Sequence, residues 1–265
     1  TFNATEKQTS IGTVTATDAD TSETVTFSIS STDIEITSAG VLTFTSAPDY
    51  ETKSSYSATV TATDGTNSTT QDITVSILDV NDNAPVFTST ATFNAAENQT
   101  SIGTVTATDA DTTGSITFSV SGAELSITSG GILTFVTAPD YESKSSYSAT
   151  VTATDGTNST TQDITVSVTN LNDNAPVFTS SATFSAAENQ TVIGTISASD
   201  ADGDAVIYSI NGADAASISI NSSSGVLAFI SAPDYETKTS YALTATASDG
   251  VNSINQSITI NISDL

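Results

Sequence analysis

The sequence predicts an all-β protein of three tandem, seven-stranded sandwiches, on three observations: a strand-favouring palette, a long internal repeat, and period-two alternation within each copy. The 265 residues include no Cys, Met, Trp or His, and Thr, Ser, Ala, Val and Ile dominate. β-Branched and small polar side chains of this kind suit pleated, half-buried surfaces rather than helices. The repeat is explicit. ATEKQTSIGTVTATDAD at Ala4, AAENQTSIGTVTATDAD at Ala95 and AAENQTVIGTISASDAD at Ala186 recur 91 residues apart, which marks an array of like units. A second block, APDYETK at Ala47, APDYESK at Ala138 and APDYETK at Ala232, recurs in every copy, and only the third copy changes length between the blocks, by three residues.

Within the first copy the elements follow in order. Val25, Phe27 and Ile29 alternate with polar residues, as do Tyr56, Ala58, Val60 and Ala62, and again Ile73, Val75 and Ile77. Alternate residues of a strand face opposite sides, so each segment reads as half-buried. Ser-Ala-Gly at Ser38 and Asp-Gly-Thr-Asn at Asp64 supply turns between them, giving about seven strands per copy and the pattern of a small antiparallel sandwich. The expected repeats span 1–83, 84–174 and 175–265. The first starts at its first strand and the last stops where the others continue into a linker, so the sequence reads as a window on a longer array.

Thirty acidic residues face four lysines, Lys7, Lys53, Lys144 and Lys238, for a formal charge of −26. A field of that sign disfavours nucleic acid and anionic membranes as partners. No apolar run approaches the 18 residues of a membrane span, and no signal peptide stands at the start, which places any export signal or anchor outside this window. Nothing forms a catalytic constellation: there is no His base, Cys nucleophile or phosphate-cradling glycine loop, and no enzyme is expected.

The acids are positioned rather than scattered. Glu6, Asp18, Asp20, Asp49, Glu51 and Asp64 recur as Glu97, Asp109, Asp111, Asp140, Glu142 and Asp155, and again as Glu188, Asp200, Asp202, Asp234, Glu236 and Asp249. Two Asp residues one apart, as in Asp18-Ala-Asp20, project from one side of an extended segment and can share a cation. Asp64-Gly65 alone reads as a hairpin turn, and Asp79-Val-Asn-Asp-Asn-Ala-Pro85 alone reads as an Asx-turn linker. Their joint recurrence points to a hard divalent cation. Calcium takes six to eight oxygen ligands in loose geometry, whereas zinc or copper would call for His or Cys.

Taken together, Glu in AAENQT, the DAD pair, the DYE block, Ala-Thr-Asp-Gly and the linker DVNDNAP resemble the cadherin repeat over essentially the whole chain. The resemblance implies Greek-key, immunoglobulin-like sandwiches in an elongated array, with about three Ca2+ ions at each junction between repeats. For the first junction it implies ligands Glu6, Asp49, Glu51, Asp79, Asn81 and Asp82, backbone carbonyls of Val80 and Asn83, and Asp109, Asp111 and Asp155 from the second repeat. For the second it implies Glu97, Asp140, Glu142, Asn172 and Asp173, the linker positions Asn170 and Asn174, and Asp200, Asp202 and Asp249. Asn170 stands where the first linker has Asp79, so a weaker site is expected there. Asp18, Asp20 and Asp64 at one end, and Glu188, Asp234, Glu236 and Asp264 at the other, are implied half-sites.

The functional expectation is an extracellular or cell-surface, calcium-rigidified stalk in adhesion, whose partners are calcium and neighbouring repeats of the same longer chain. A repeating subunit of a filament or surface layer, with self-association, is the alternative. Glycan recognition is a further one, resting on Tyr50, Tyr141 and Tyr235, which are expected instead to pack beside the ligand Glu. Vertebrate cadherins that adhere by exchanging a terminal strand anchor it with Trp, which this chain lacks, so the resemblance does not carry that mechanism. The Thr/Ser-rich, Cys-free and Arg-free composition is similar to the cadherin-like repeats of large bacterial surface adhesins.

Overall fold

Apolar residues at alternate positions, punctuated by glycine and Asx turns, leave the chain one way to bury them: as strands stacked in facing sheets. The computed structural model describes residues 1–20 and 23–265. The first copy forms β1 (Phe2–Thr5), β2 (Ser10–Thr13), β3 (Thr26–Ser30), β4 (Ile34–Ile36), β5 (Val41–Phe44), β6 (Ser55–Thr63) and β7 (Ser68–Leu78). These make one sheet in the order β1-β7-β6-β3 and a second in the order β2-β5-β4. Strand β1 runs parallel to β7, with Phe2 opposite Val75 and Thr5 opposite Leu78. The long hairpin β6–β7 is antiparallel, with Tyr56 opposite Val75 and Val60 opposite Gln71.

The second copy contains β8 (Val86–Phe87), β9 (Thr92–Ala96), β10 (Ser101–Thr104), β11 (Ala107–Thr108), β12 (Thr117–Val120), β13 (Leu125–Ile127), β14 (Ile132–Phe135), β15 (Ser146–Thr154) and β16 (Ser159–Thr169). The third contains β17 (Val177–Phe178), β18 (Thr183–Ala187), β19 (Val192–Thr195), β20 (Ala198–Ser199), β21 (Ile207–Asn211), β22 (Ile218–Ile220), β23 (Val226–Phe229), β24 (Ser240–Ser248) and β25 (Ser253–Ser263). Both repeat the two sheets of the first copy and add a two-stranded pair, β8 with β11 and β17 with β20. The chain is thus three tandem β-sandwiches. The strand count differs from seven in the later copies because the first two strands each break in two. A 3-10 turn, Ala215–Ser217, sits in the lengthened stretch of the third copy.

Inward positions match the alternation. Val60, Ile73, Val75 and Ile77 are buried with Ile34, Leu42 and Phe44 in the first copy. Leu243, Ala245, Ala247, Ile258, Ile260 and Ile262 are buried with Ile218, Leu227 and Phe229 in the third. One glycine per copy fixes how the sheets meet. Gly131 has φ +89°, and a Cβ there would lie 2.2 Å from the Val105 carbonyl, while the Val105 N–H donates to the Gly131 carbonyl at 2.8 Å. Gly40 and Gly225 repeat this approach against Val14 and Ile196.

The chain divides into two compact units. One comprises Thr1–Phe93, Ser101–Val136 and Ser148–Thr165; the other comprises Asn94–Thr100, Thr137–Tyr147 and Val166–Leu265. Each inter-repeat junction falls wholly inside one of them: the linker after β7 in the first, the linker after β16 in the second. No helix among the described residues is long and apolar enough to cross a membrane.

Candidate metal centres

A glutamate directly after the first strand of each copy anchors the junction. Glu6 is 1% exposed. Its Oε2 accepts the Tyr50 N–H at 2.8 Å and its Oε1 accepts the Val80 N–H at 2.7 Å, tying the DYE turn to the linker. Glu97 does the same for Tyr141 and Leu171, both at 2.7 Å, and Glu188 for Tyr235 at 3.1 Å and Leu265 at 3.0 Å. A carboxylate is retained in such burial because ionised acceptors make the stronger hydrogen bonds. Tyr50 packs against the core of its own copy and Tyr235 against that of the third.

On the facing side of the first junction, the linker closes on Asp111. The N–H groups of Asp82 and Asn83 donate to its Oδ2 at 3.0 and 2.8 Å, and the Asn83 amide donates to its Oδ1 at 2.7 Å. Asp109 Oδ1 accepts the Asp111 N–H at 3.0 Å. Asp79 Oδ2 accepts both the N–H, at 2.6 Å, and the hydroxyl of Thr112. Asp155, between β15 and β16, accepts the N–H groups of Thr157 and Asn158 at 2.6 and 2.7 Å. The Asn158 amide in turn donates to Asn81 Oδ1 at 3.0 Å and to the Asn83 carbonyl at 2.8 Å. Burial opposes ionisation of Asp111, yet the Asn83 side chain and the linker N–H groups hold its carboxyl below the usual aspartate range. Burial likewise opposes ionisation of Asp155, and the Asn158 and Thr157 amides bring it down. Glu51 goes the other way: desolvation, aided by Asp49, Glu6 and Asp111, raises it to about 6.

These groups converge, with the Lys7 ammonium paired to Asp82 at their edge. One carboxylate oxygen from each of Glu6, Glu51 and Asp79 lies within 4.8 Å of the others, and the same holds for Glu51, Asp82 and Asp111, and for Asp109, Asp111 and Asp155. Asp79 Oδ1, Asp109 Oδ2 and Asp155 Oδ2 are buried and have no hydrogen-bond donor. Unpaired carboxylate oxygens in such places are costly, and an all-oxygen set with backbone carbonyls nearby fits calcium rather than a softer metal.

The second junction repeats the plan with one change. The N–H groups of Asp173 and Asn174 donate to Asp202 Oδ2 at 3.0 and 2.8 Å, the Asn252 amide donates to Asn172 Oδ1 at 3.1 Å, and Asp200 Oδ1 accepts the Asp202 N–H at 3.0 Å. Glu97, Asp140 and Glu142 form one close group, and Glu142, Asp173 and Asp202 another. Asp200 Oδ2 and Asp249 Oδ2 are buried without donors. Where Asp79 accepts from Thr112, Asn170, which carries an NH2, donates its amide to the Asp202 carbonyl at 2.8 Å, and Gly203 stands in place of the threonine.

At the ends, Asp18 Oδ1 accepts the Asp20 N–H at 2.7 Å and Asp64 Oδ1 accepts from Thr66 and Asn67 at 2.7 and 2.6 Å. Asp234 Oδ1 accepts the Glu236 N–H at 3.0 Å, and Asp264 immediately precedes the Leu265 that Glu188 holds. Sequence reasoning missed Asn158, Asn252 and Thr112. The asparagines carried a signal, since Asn67, Asn158 and Asn252 each stand three residues after the turn Asp. The lysines that follow each DYE Glu serve as local counter-charges: Lys53 pairs with Asp33 at 2.8 Å over the Tyr56 ring, and Lys238 pairs with Asp214 over Tyr241.

Tandem sandwiches with oxygen-rich acidic junctions define a class of multi-repeat ectodomain modules. The Cadherin domain family model matches residues 90–169. The chain is 34% identical over 200 residues to the human Cadherin EGF LAG seven-pass G-type receptor 1, covering 69% of this chain and 7% of that protein. It is 35% identical over 218 residues to human Protocadherin Fat 4, covering 72% of this chain and 4% of that protein. Among solved structures, mouse Cadherin-23 EC22-24 superimposes with a TM-score of 0.76 at 23% identity, covering 100% of this chain and 95% of that one. The Protocadherin gammaB7 EC3-6 cis-dimer structure gives 0.75 at 26% identity, covering 99% and 72%. The chain belongs to the cadherin family, and its repeats are extracellular modules. It spans a small fraction of the length of the curated relatives it matches.

Proposed function

We propose that this chain is a calcium-binding segment of an extracellular adhesion protein, in which calcium at each junction fixes one repeat against the next and turns the array into a stiff, non-enzymatic stalk. The observation that carries this reading is the set of buried, donor-less carboxylate oxygens at Asp79, Asp109 and Asp155, drawn together from the linker and the following repeat. We assign the repeats to 1–83, 84–174 and 175–265, and the junction ligands to the acids and linker residues named from the sequence. Calcium supplies the positive charge; the chain supplies eight carboxylates at the first junction and seven at the second. Without it, carboxylates within 4.8 Å of one another repel across the linker. The cis-dimer of the gammaB7 relative favours self-association as a partner mode for this chain.

Small-angle scattering with millimolar calcium and with chelator tests the stalk. A long, rigid particle with calcium and a flexible ensemble without it is the expected result. An unchanged profile sinks the mechanism.

A further inference from the structure

The residue after the anchoring glutamate has a left-handed backbone in all three copies: φ is 59° at Lys7, 62° at Asn98 and 59° at Asn189. In the first two copies the side chain at this position meets the linker. At the second junction the Asn98 amide reaches Asp173 Oδ2. At the first, the Lys7 ammonium reaches Asp82 Oδ2 instead. Asparagine tolerates φ > 0 far better than lysine, so the lysine is not there for the turn. Lys7 also balances Asp79, the one carboxylate that the second junction lacks. Counting it, the eight acids of the first junction and the seven of the second leave the same net charge of −7.

We propose that Lys7 is a tethered counter-ion of the first junction: its ammonium holds Asp82 in the calcium-free chain, and calcium entering the group of Glu51, Asp82 and Asp111 must displace it. The proposal rests on the calcium reading above. A displaced ammonium stays leashed to the junction. A unit charge about 7 Å from a divalent ion in water-like surroundings weakens binding roughly five- to tenfold, and salt screens the effect.

The test is calorimetric calcium titration of the three-repeat chain at low salt and at about 0.3 M salt, for the wild type, Lys7→Gln, Lys7→Asn, Lys7→Arg and the reciprocal Asn98→Lys. Lys7→Gln removes the charge while keeping the backbone cost, and Lys7→Asn removes both. Both should tighten one class of sites about fivefold at low salt, Lys7→Arg should match the wild type, and Asn98→Lys should weaken one class. In chelator, Lys7→Gln should melt about 1–2 °C below the wild type, because the apo junction loses its counter-ion. Wild-type isotherms for both Lys7→Gln and Lys7→Asn overturn the proposal. A wild-type chain that takes up no calcium overturns the underlying reading and the proposal with it.

Discussion

Replacing Glu97 with Gln separates the two duties of the anchoring glutamate. The carboxylate accepts two backbone N–H groups, from Tyr141 and Leu171, and is 2% exposed. Glutamine keeps one acceptor oxygen and turns an NH2 toward the other donor, so one charge-assisted hydrogen bond of about 1.5–3 kcal/mol is lost. In the absence of calcium the substitution also removes a negative charge within 4.8 Å of oxygens of Asp140 and Glu142, relieving at least roughly 1 kcal/mol for each neighbour, the value in bulk water. The two effects nearly offset. Expected destabilisation is therefore about 1 kcal/mol or less in chelator. In millimolar calcium the repulsion is already neutralised, and the loss rises to about 3 kcal/mol as the chain forfeits both the hydrogen bond and a ligand. Amide exchange of Tyr141 and Leu171, followed in both buffers, reads this locally and avoids treating three repeats as one two-state unit. Equal losses of protection with and without calcium would refute the reasoning.

Asn170→Asp should tighten calcium binding at the second junction while destabilising the chelated chain, because the donor to the Asp202 carbonyl becomes an acceptor facing an acceptor; calorimetry and thermal melts check the two halves. Gly131→Ala should cost more than about 3 kcal/mol or prevent folding of the middle repeat, its Cβ meeting backbone oxygen at 2.2 Å, whereas Gly156→Ala, with φ +101° and open space around it, should cost only about 1 kcal/mol; circular dichroism melts separate them. The pH response of the chelated chain follows from Glu51, raised to about 6 chiefly by desolvation. A raised carboxyl contributes stability that is complete below its unfolded value and is lost as pH rises through the folded one, so melting temperature should fall between about pH 4.5 and pH 6.5. Asp111 and Asp155, both lowered, contribute stability present above the unfolded aspartate value and lost as pH falls below it, so a second decline should appear on the acid side of about pH 4. A flat profile from pH 4 to 7 would contradict the Glu51 assignment.

The long strands were legible because their alternation is a property of single residues: Ile73, Val75 and Ile77 face inward whatever the partner strand. The splitting of the leading strands was not. Val86–Phe87 pairs with Ala107–Thr108 over only two residues, a contact set by where the linker delivers Pro85, which has no N–H to give a ladder. At the junctions, recurrence made the acids visible, and chemistry chose the cation. What it hid was the neutral scaffolding. Thr112 holds Asp79, and Asn158 bridges Asp155 to the linker, but Ser, Thr and Asn are too common in this chain to stand out. Lys7 was visible as TEKQT against AENQT, and only its approach to Asp82 gives that difference a meaning.

Parallel pairing of the first and last strands has a mechanical consequence. Phe2 through Thr5 run alongside Val75 through Leu78, and Thr183 through Ala187 alongside Thr259 through Ser263, so tension along the polypeptide pulls paired strands past each other rather than peeling them apart. Their inter-strand bonds are then strained together, and a repeat yields only when the whole ladder fails at once. A tether assembled from such units keeps its length until a threshold load is reached.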